Sequence, residues 1–206
     1  MNAEKTQSEC KPKKIRAFLA LKTPPDWDAE FAALQQRLKS ELRTKAIRWT
    51  NPEQIHITLR FLGYILPDDT KKVGVLLPAI CSAHPPFILR CSDLGCFPNA
   101  SRPRVLWAGL DGETQRVQQL QSGIVEATRH IGEPPEDREF KPHLTLARIQ
   151  DLERPSREQL EHLLQHGFKI ESTWRVTEFL LMQSHLSPQG AKYEVLARFH
   201  LGVHAA

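Results

Sequence analysis

Two stretches of the chain repeat almost letter for letter, His56-Ile57-Thr58-Leu59 and His143-Leu144-Thr145-Leu146, and they lie 87 residues apart. In an extended strand alternate residues share a face, so each stretch sets a histidine beside a threonine and turns its aliphatic residues toward a core. A lone histidine on a half-buried strand is usually structural. With nine His and 11 Thr in 206 residues, chance supplies roughly half a His-x-Thr pair per chain. Two copies, one in each half and both on aliphatic alternation, read instead as a paired polar site. An imidazole exchanges protons near neutrality and a threonine hydroxyl donates to an anionic oxygen, so two such strands across a cleft suit a phosphate group.

The rest of the chain supplies a scaffold for two such strands. Residues 1–14 are polar, Lys-rich and aperiodic, which predicts a disordered basic tail before a single folded domain over 15–206. Arg16–Leu21, Trp49, Ile55–Leu62, Phe87–Phe97, Arg104–Leu110, His143–Ile149, Trp174–Ser184 and Tyr193–Leu201 read as strands. Phe31, Leu34, Leu38 and Leu42 mark one helix face, and Val117, Leu120, Ile124, Ala127 and Ile131 another that stops at Gly132. Two more helices are predicted over Pro67–Ser82 and over Ser156–Gln165, with Ser156 as N-cap of the latter. Helices and strands alternate in two comparable sets, which predicts an α+β domain of two sheet-bearing lobes.

Hydrophobic residues at 40% and charged residues at 25% exclude disordered and fibrous classes. A net charge of +4 makes too weak a field to name a partner. The longest apolar stretch, Val73–Ile80, is interrupted by Pro78 and is far short of the roughly 20 residues a membrane helix needs. The first residues carry no apolar segment of the secretory kind, so a cytoplasmic protein without a membrane partner is expected. Cys10, Cys81, Cys91 and Cys96 include no Cys-x-x-Cys pair and read as reduced thiols. Together with His84 the last three could be taken for a zinc site, but their spacing fits no standard finger.

The paired tetrads, with Pro142 before the second, resemble the two-histidine phosphoesterase superfamily. Their surroundings resemble its RNA 2′,3′-cyclic phosphodiesterase branch, also described as 2′-5′ RNA ligases. The matching segments are Arg16–Leu21, Arg48-Trp49, Ile55–Gly63, Gly95–Pro98, Pro103–Gly109, Phe140–Ile149 and the closing Ser184, Leu186, Gly190 and Tyr193-Glu194. The resemblance implies a bilobal fold, two pseudo-symmetric lobes whose antiparallel sheets flank a central cleft with helices outside. It implies hydrolysis of RNA or nucleotides ending in a 2′,3′-cyclic phosphate, without metal or cofactor; a monomer is expected. Carried onto this chain, His56 is the proton donor to the leaving 3′ oxygen and His143 the base that takes the proton of water. Thr58, Thr145 and Arg148 would hold the phosphoryl oxygens.

Strand parity adds a different arginine. Arg60 lies four residues after His56 and should share its face, whereas Arg148 lies five after His143 and should face away unless the strand bulges. Both remain candidates for the phosphate. Trp49, Phe61, Phe97 and Trp107 are the aromatics available to stack a base, though core packing is the commoner fate of such residues. Two other functions use the same residues: reversible 2′-5′ ligation, with a ribose hydroxyl in place of water, and noncatalytic binding of RNA ends.

Overall fold

A computed structural model describes residues 12–165, 170–188 and 190–202. Most of the basic tail expected over 1–14, with Cys10, lies outside the described residues; 12–14 are exposed and lead into the first strand. One antiparallel sheet has the order β3-β1-β8-β9, built from β1 (Ile15–Lys22), β3 (His56–Ile65), β8 (Glu178–Ser187) and β9 (Gly190–His200). The other has the order β2-β6-β5-β4-β7, from β2 (Ile47–Trp49), β4 (Phe87–Phe97), β5 (Val105–Gly112), β6 (Leu144–Ile149) and β7 (Trp174–Val176).

Among the described residues four α-helices back these sheets in pairs. α2 (Pro67–Ala83) and α3 (Thr114–Ala127) pack on each other and against β9 and β3 of the first sheet. α1 (Pro25–Leu42) and α4 (Arg154–Gln165) pack on each other behind the second, α4 against β4. α1 shows why the pattern folds this way: Pro25 occupies its first turn, Asp26 and Asp28 sit at its positive end, and Trp27, Phe31, Leu34, Leu38 and Leu42 form its buried face. Trp27 then meets Trp174 edge to face at 5.6 Å and donates its indole N–H to Ser172 Oγ at 2.8 Å.

The lobes are not the two halves of the chain, as simple alternation suggests. β2 and α1 of the first half belong to the second sheet, while β8, β9 and α3 of the second half belong to the first. The single strand expected over Trp174–Ser184 breaks at Thr177: β7 pairs with β4, and β8 pairs with β1 in the other sheet. A continuous apolar run reads as one strand even where its two ends bury against different neighbours. Ser156 is inside α4 rather than its cap, because Pro155 fits the first turn and the helix begins at Arg154. α3 ends at Ala127, short of Ile131, where Thr128 returns its hydroxyl to the Ile124 carbonyl at 2.6 Å.

One large core joins the helices to the inner faces of both sheets. A separate small cluster of Phe18, Ala20, Leu180 and Met182, with Phe61 and Tyr193 against it, covers the opposite face of the first sheet. The helix-free face is thus partly apolar.

Arg60 is the principal charge within the fold, only 4% exposed. Its Nη2 donates to the carbonyls of Thr128, Ile131 and Glu133 at 3.1, 3.2 and 3.1 Å, at the turn that closes α3. The negative end of the helix dipole and three carbonyls offset part of the cost of burying the cation, whose Nε and Nη1 are buried without a hydrogen-bond partner. The same turn is pressed onto β3: a side chain at Gly132, whose φ is +71°, would collide with the Leu62 carbonyl. Arg60→Met should therefore destabilise the protein by about 2–3 kcal/mol, read as a lower urea midpoint with unchanged m-value.

Candidate active site

Both histidines are held in the same way. His56 Nδ1 lies 2.7 Å from the Gln54 carbonyl, and His143 Nδ1 lies 2.7 Å from the Lys141 carbonyl. A carbonyl only accepts, so each Nδ1 carries the hydrogen and each Nε2 is left to gain or lose a proton. The chain ahead of His56 is anchored where Thr23 Oγ1 donates to the Ile55 carbonyl at 2.9 Å. Phe18 and Tyr193 pack against the His56 ring with centroids at 5.1 and 5.3 Å, and Phe97 meets the His143 ring edge-on at 4.9 Å. His56 Nε2 is 3.1 Å from Thr58 Oγ1.

β3 and β6 lie against each other, and the imidazoles are near enough that the charge of His143 is felt at His56. The His56 pKa is lowered from its ordinary 6.5, chiefly because burial disfavours the cation; the Gln54 carbonyl pulls it back up, and the charge of His143 lowers it again. Repulsion of this kind favours one proton on the pair over two.

The residues after each threonine depart from strict alternation at the same place. In the β1–β3 register Ala20 faces Thr58 and Leu19 faces Arg60, leaving Leu59 as an extra residue. In the β5–β6 register Trp107 faces Thr145 and Leu106 faces Ala147, leaving Leu146 extra. Each bulge therefore buries two residues in succession, Leu59 with Arg60 and Leu146 with Ala147. The next residue returns to the cleft face, Phe61 in one strand and Arg148 in the other.

This reverses the parity argument for the arginines. Arg60, expected beside His56, is turned into the core and bound to the end of α3, away from the cleft. Arg148, five residues from His143, is exposed on the face of Thr145. Arg48 lies opposite Arg148 in the β2–β6 register and reaches toward the β8–β9 turn, its Nη2 3.5 Å from where a Cβ on Gly190 would stand. Neither Arg48 nor Arg148 has an acidic partner among the described residues.

The aromatic candidates separate as well. Trp49 packs on the main core under Lys39. Phe97 and Trp107 pack together at 5.2 Å, Phe97 against His143, and Trp107 lies so close on Gly95 that a Cβ there would collide with the indole. His56 itself lines a cavity of about 230 Å³ together with Lys22, Glu53, Gln54, Met182, Tyr193 and Val195. The thiols lie elsewhere: Cys81, Cys91 and Cys96 are free and buried, and burial pushes Cys91 and Cys96 up to about 12.

Sequence reasoning missed the Gln54 and Lys141 carbonyls, Phe18, Tyr193 and Arg48. The carbonyls had a signal in the sequence, since both stand two residues before a histidine that opens the same tetrad. Arg48 had only its place in a segment that resembles the family, because its neighbour Arg148 is 100 residues away in the chain.

Comparison with known proteins follows the same duplication. The model of the LigT-like phosphoesterase family matches twice, over residues 21–107 and 109–193, each match holding one tetrad. The RNA 2′,3′-cyclic phosphodiesterase of Aquifex aeolicus is 30% identical over 193 residues, 92% of this chain and 99% of that protein. The protein of that name from Methanothermobacter thermautotrophicus is 28% identical, over 91% of this chain and all of the other. Among solved structures, TT0787 of Thermus thermophilus aligns with a TM-score of 0.73 and 27% identity over 91% of this chain and 98% of its own. The complex of E. coli LigT with 3′-AMP has the same fold, at a TM-score of 0.73 and 23% identity over 92% and 99%.

The lowered His56 pKa has a measurable consequence. Below about pH 6.5 the unfolded chain binds a proton that folded His56 resists, so this group's contribution to stability rises with pH and is lost on acidification. In an imidazole NMR titration His56 should titrate below 6.5, and His143→Asn should move it partly back up; an unchanged midpoint in that variant would show that the two rings do not sense each other.

Proposed function

Because the chain belongs to the LigT-like phosphoesterase family, we propose that it hydrolyses RNA or nucleotide ends bearing a 2′,3′-cyclic phosphate to 2′-phosphomonoesters, using the two histidines as acid and base. The observation that carries this reading is the pair of imidazoles close enough to feel each other's charge, each with its Nδ1 hydrogen committed to a backbone carbonyl.

In the proposed reaction His143 Nε2 takes a proton from water as the water oxygen forms its bond to phosphorus. The bond from phosphorus to the 3′ oxygen breaks, and His56 Nε2 gives that oxygen its proton. The product keeps the phosphate on the 2′ oxygen, and the pair ends with its one proton transferred from His56 to His143. Repulsion between the rings favours the singly protonated pair that this sequence starts from. In the free protein burial keeps His56 from holding the proton readily; the negative charge of a bound phosphodiester favours the imidazolium. Thr58, Thr145 and Arg148 are assigned to the non-bridging oxygens, where donors stabilise the charge that builds in the transition state. All of these roles belong to side chains, so the reaction is proposed to need no metal and no cofactor.

The protein, incubated in EDTA with a nucleoside 2′,3′-cyclic phosphate, should yield the 2′-monophosphate. Binding without any product would make it an RNA-end binder instead. His56→Ala and His143→Ala should each lower kcat/KM by at least about 10²-fold. The wild-type pH profile of kcat/KM should be bell-shaped, because one ring must be protonated and the other neutral.

A further inference from the structure

Arg16 stands on the same face of β1 as Phe18, Ala20 and Lys22, the residues that run beneath His56 and Thr58. Its guanidinium lies over the Phe61 ring at 4.4 Å, and its Nη1 donates to Ser184 Oγ at 3.0 Å. Ser184 is itself buried, 5% exposed. No carboxylate pairs with Arg16 among the described residues, whereas Arg37, Arg104, Arg116, Arg129, Arg138, Arg154 and Arg198 each have one. A half-buried cation, oriented by a ring and a hydroxyl and left without an anion, is built for an anion that comes from outside.

Its position says which anion. Arg16 pairs opposite Tyr64, but its guanidinium lies over Phe61, which pairs opposite Phe18, two residues along β1 from the Ala20 that faces Thr58; at strand rise the level of Phe61 is about 7 Å from that of Thr58. That is the reach of one nucleotide along a strand whose terminal phosphate rests between the histidines. Resting on the function proposed above, we propose that Arg16, held by Phe61 and Ser184, binds the 5′ phosphodiester of the terminal nucleotide, and so makes this protein select the end of an RNA strand over a free cyclic nucleoside phosphate. The guanidinium plane that faces away from Phe61 also offers a stacking surface for the preceding base.

The test compares a nucleoside 2′,3′-cyclic phosphate, which lacks the 5′ phosphate, with a diribonucleotide ending in the same cyclic group. Wild type should prefer the dinucleotide. Arg16→Gln should lower kcat/KM on the dinucleotide by about tenfold while changing it on the mononucleotide by less than about twofold, which also shows that the variant is folded. Phe61→Leu should lose part of the preference by releasing the guanidinium. The slope of log kcat/KM against log salt for the dinucleotide should become shallower by about 0.7, the value for one phosphate contact on a single strand. Equal loss on both substrates, or none on either, overturns the proposal. If wild type turns over neither, the hydrolytic reading fails, and fluorescence anisotropy with a labelled single-stranded oligoribonucleotide decides the subsite separately: weaker binding by Arg16→Gln upholds it, and equal binding overturns it.

Discussion

Each tetrad strand has, directly after its threonine, a residue that its neighbour cannot pair, and the placing of charge in the cleft depends on how that extra residue is accommodated. A bulge leaves backbone groups without ladder partners, and buried groups of that kind must be bonded elsewhere. At Leu146 the carbonyl is taken by the Thr50 N–H at 2.9 Å and by Gln35 Nε2 of α1 at 3.2 Å, and Gln35 is 2% exposed. Beside Leu59 the brace is Arg60, whose guanidinium ties β3 to the turn after α3. In both lobes a buried polar side chain links the irregular strand to a helix, and in both the link joins parts of the chain far apart in sequence.

This bracing explains why the lobes are interleaved rather than separate. Gln35 belongs to the first half and supports the second tetrad; the turn bound by Arg60 belongs to the second half and supports the first. Neither tetrad strand has its full support until the whole chain has folded. Positioned general acids and bases need such rigidity, since small misplacements of a reacting group cost large factors in rate.

The electrostatics of the cleft follow from the same frame. The four cleft-facing basic groups of interest, Arg16, Arg48, Arg148 and the His56–His143 pair, come from both sheets and lack carboxylate partners among the described residues. Burial and mutual repulsion lower the proton affinity of His56 in the free protein. The positive character that an anion would meet is therefore local and owes little to the net charge of +4.

By itself the sequence determined the two tetrads, the α+β class, the ends of α2 within one residue, and the pairing of an imidazole with a hydroxyl in each half. These depend on period-two and helical patterns and on proline and acidic caps, all of which act over a few residues. Only the tertiary structure decided which arginine faces the cleft, which sheet each strand joins, and where the long Trp174–Ser184 run divides. The reason is the same in each case: a bulge, a strand partner or a buried polar brace is set by a neighbour distant in the chain, as Arg60 is by Thr128 and Glu133 and Arg148 by Arg48 and Val105. Alternation assigned Arg60 to the site and Arg148 to the far face; one extra leucine in each strand exchanges those places.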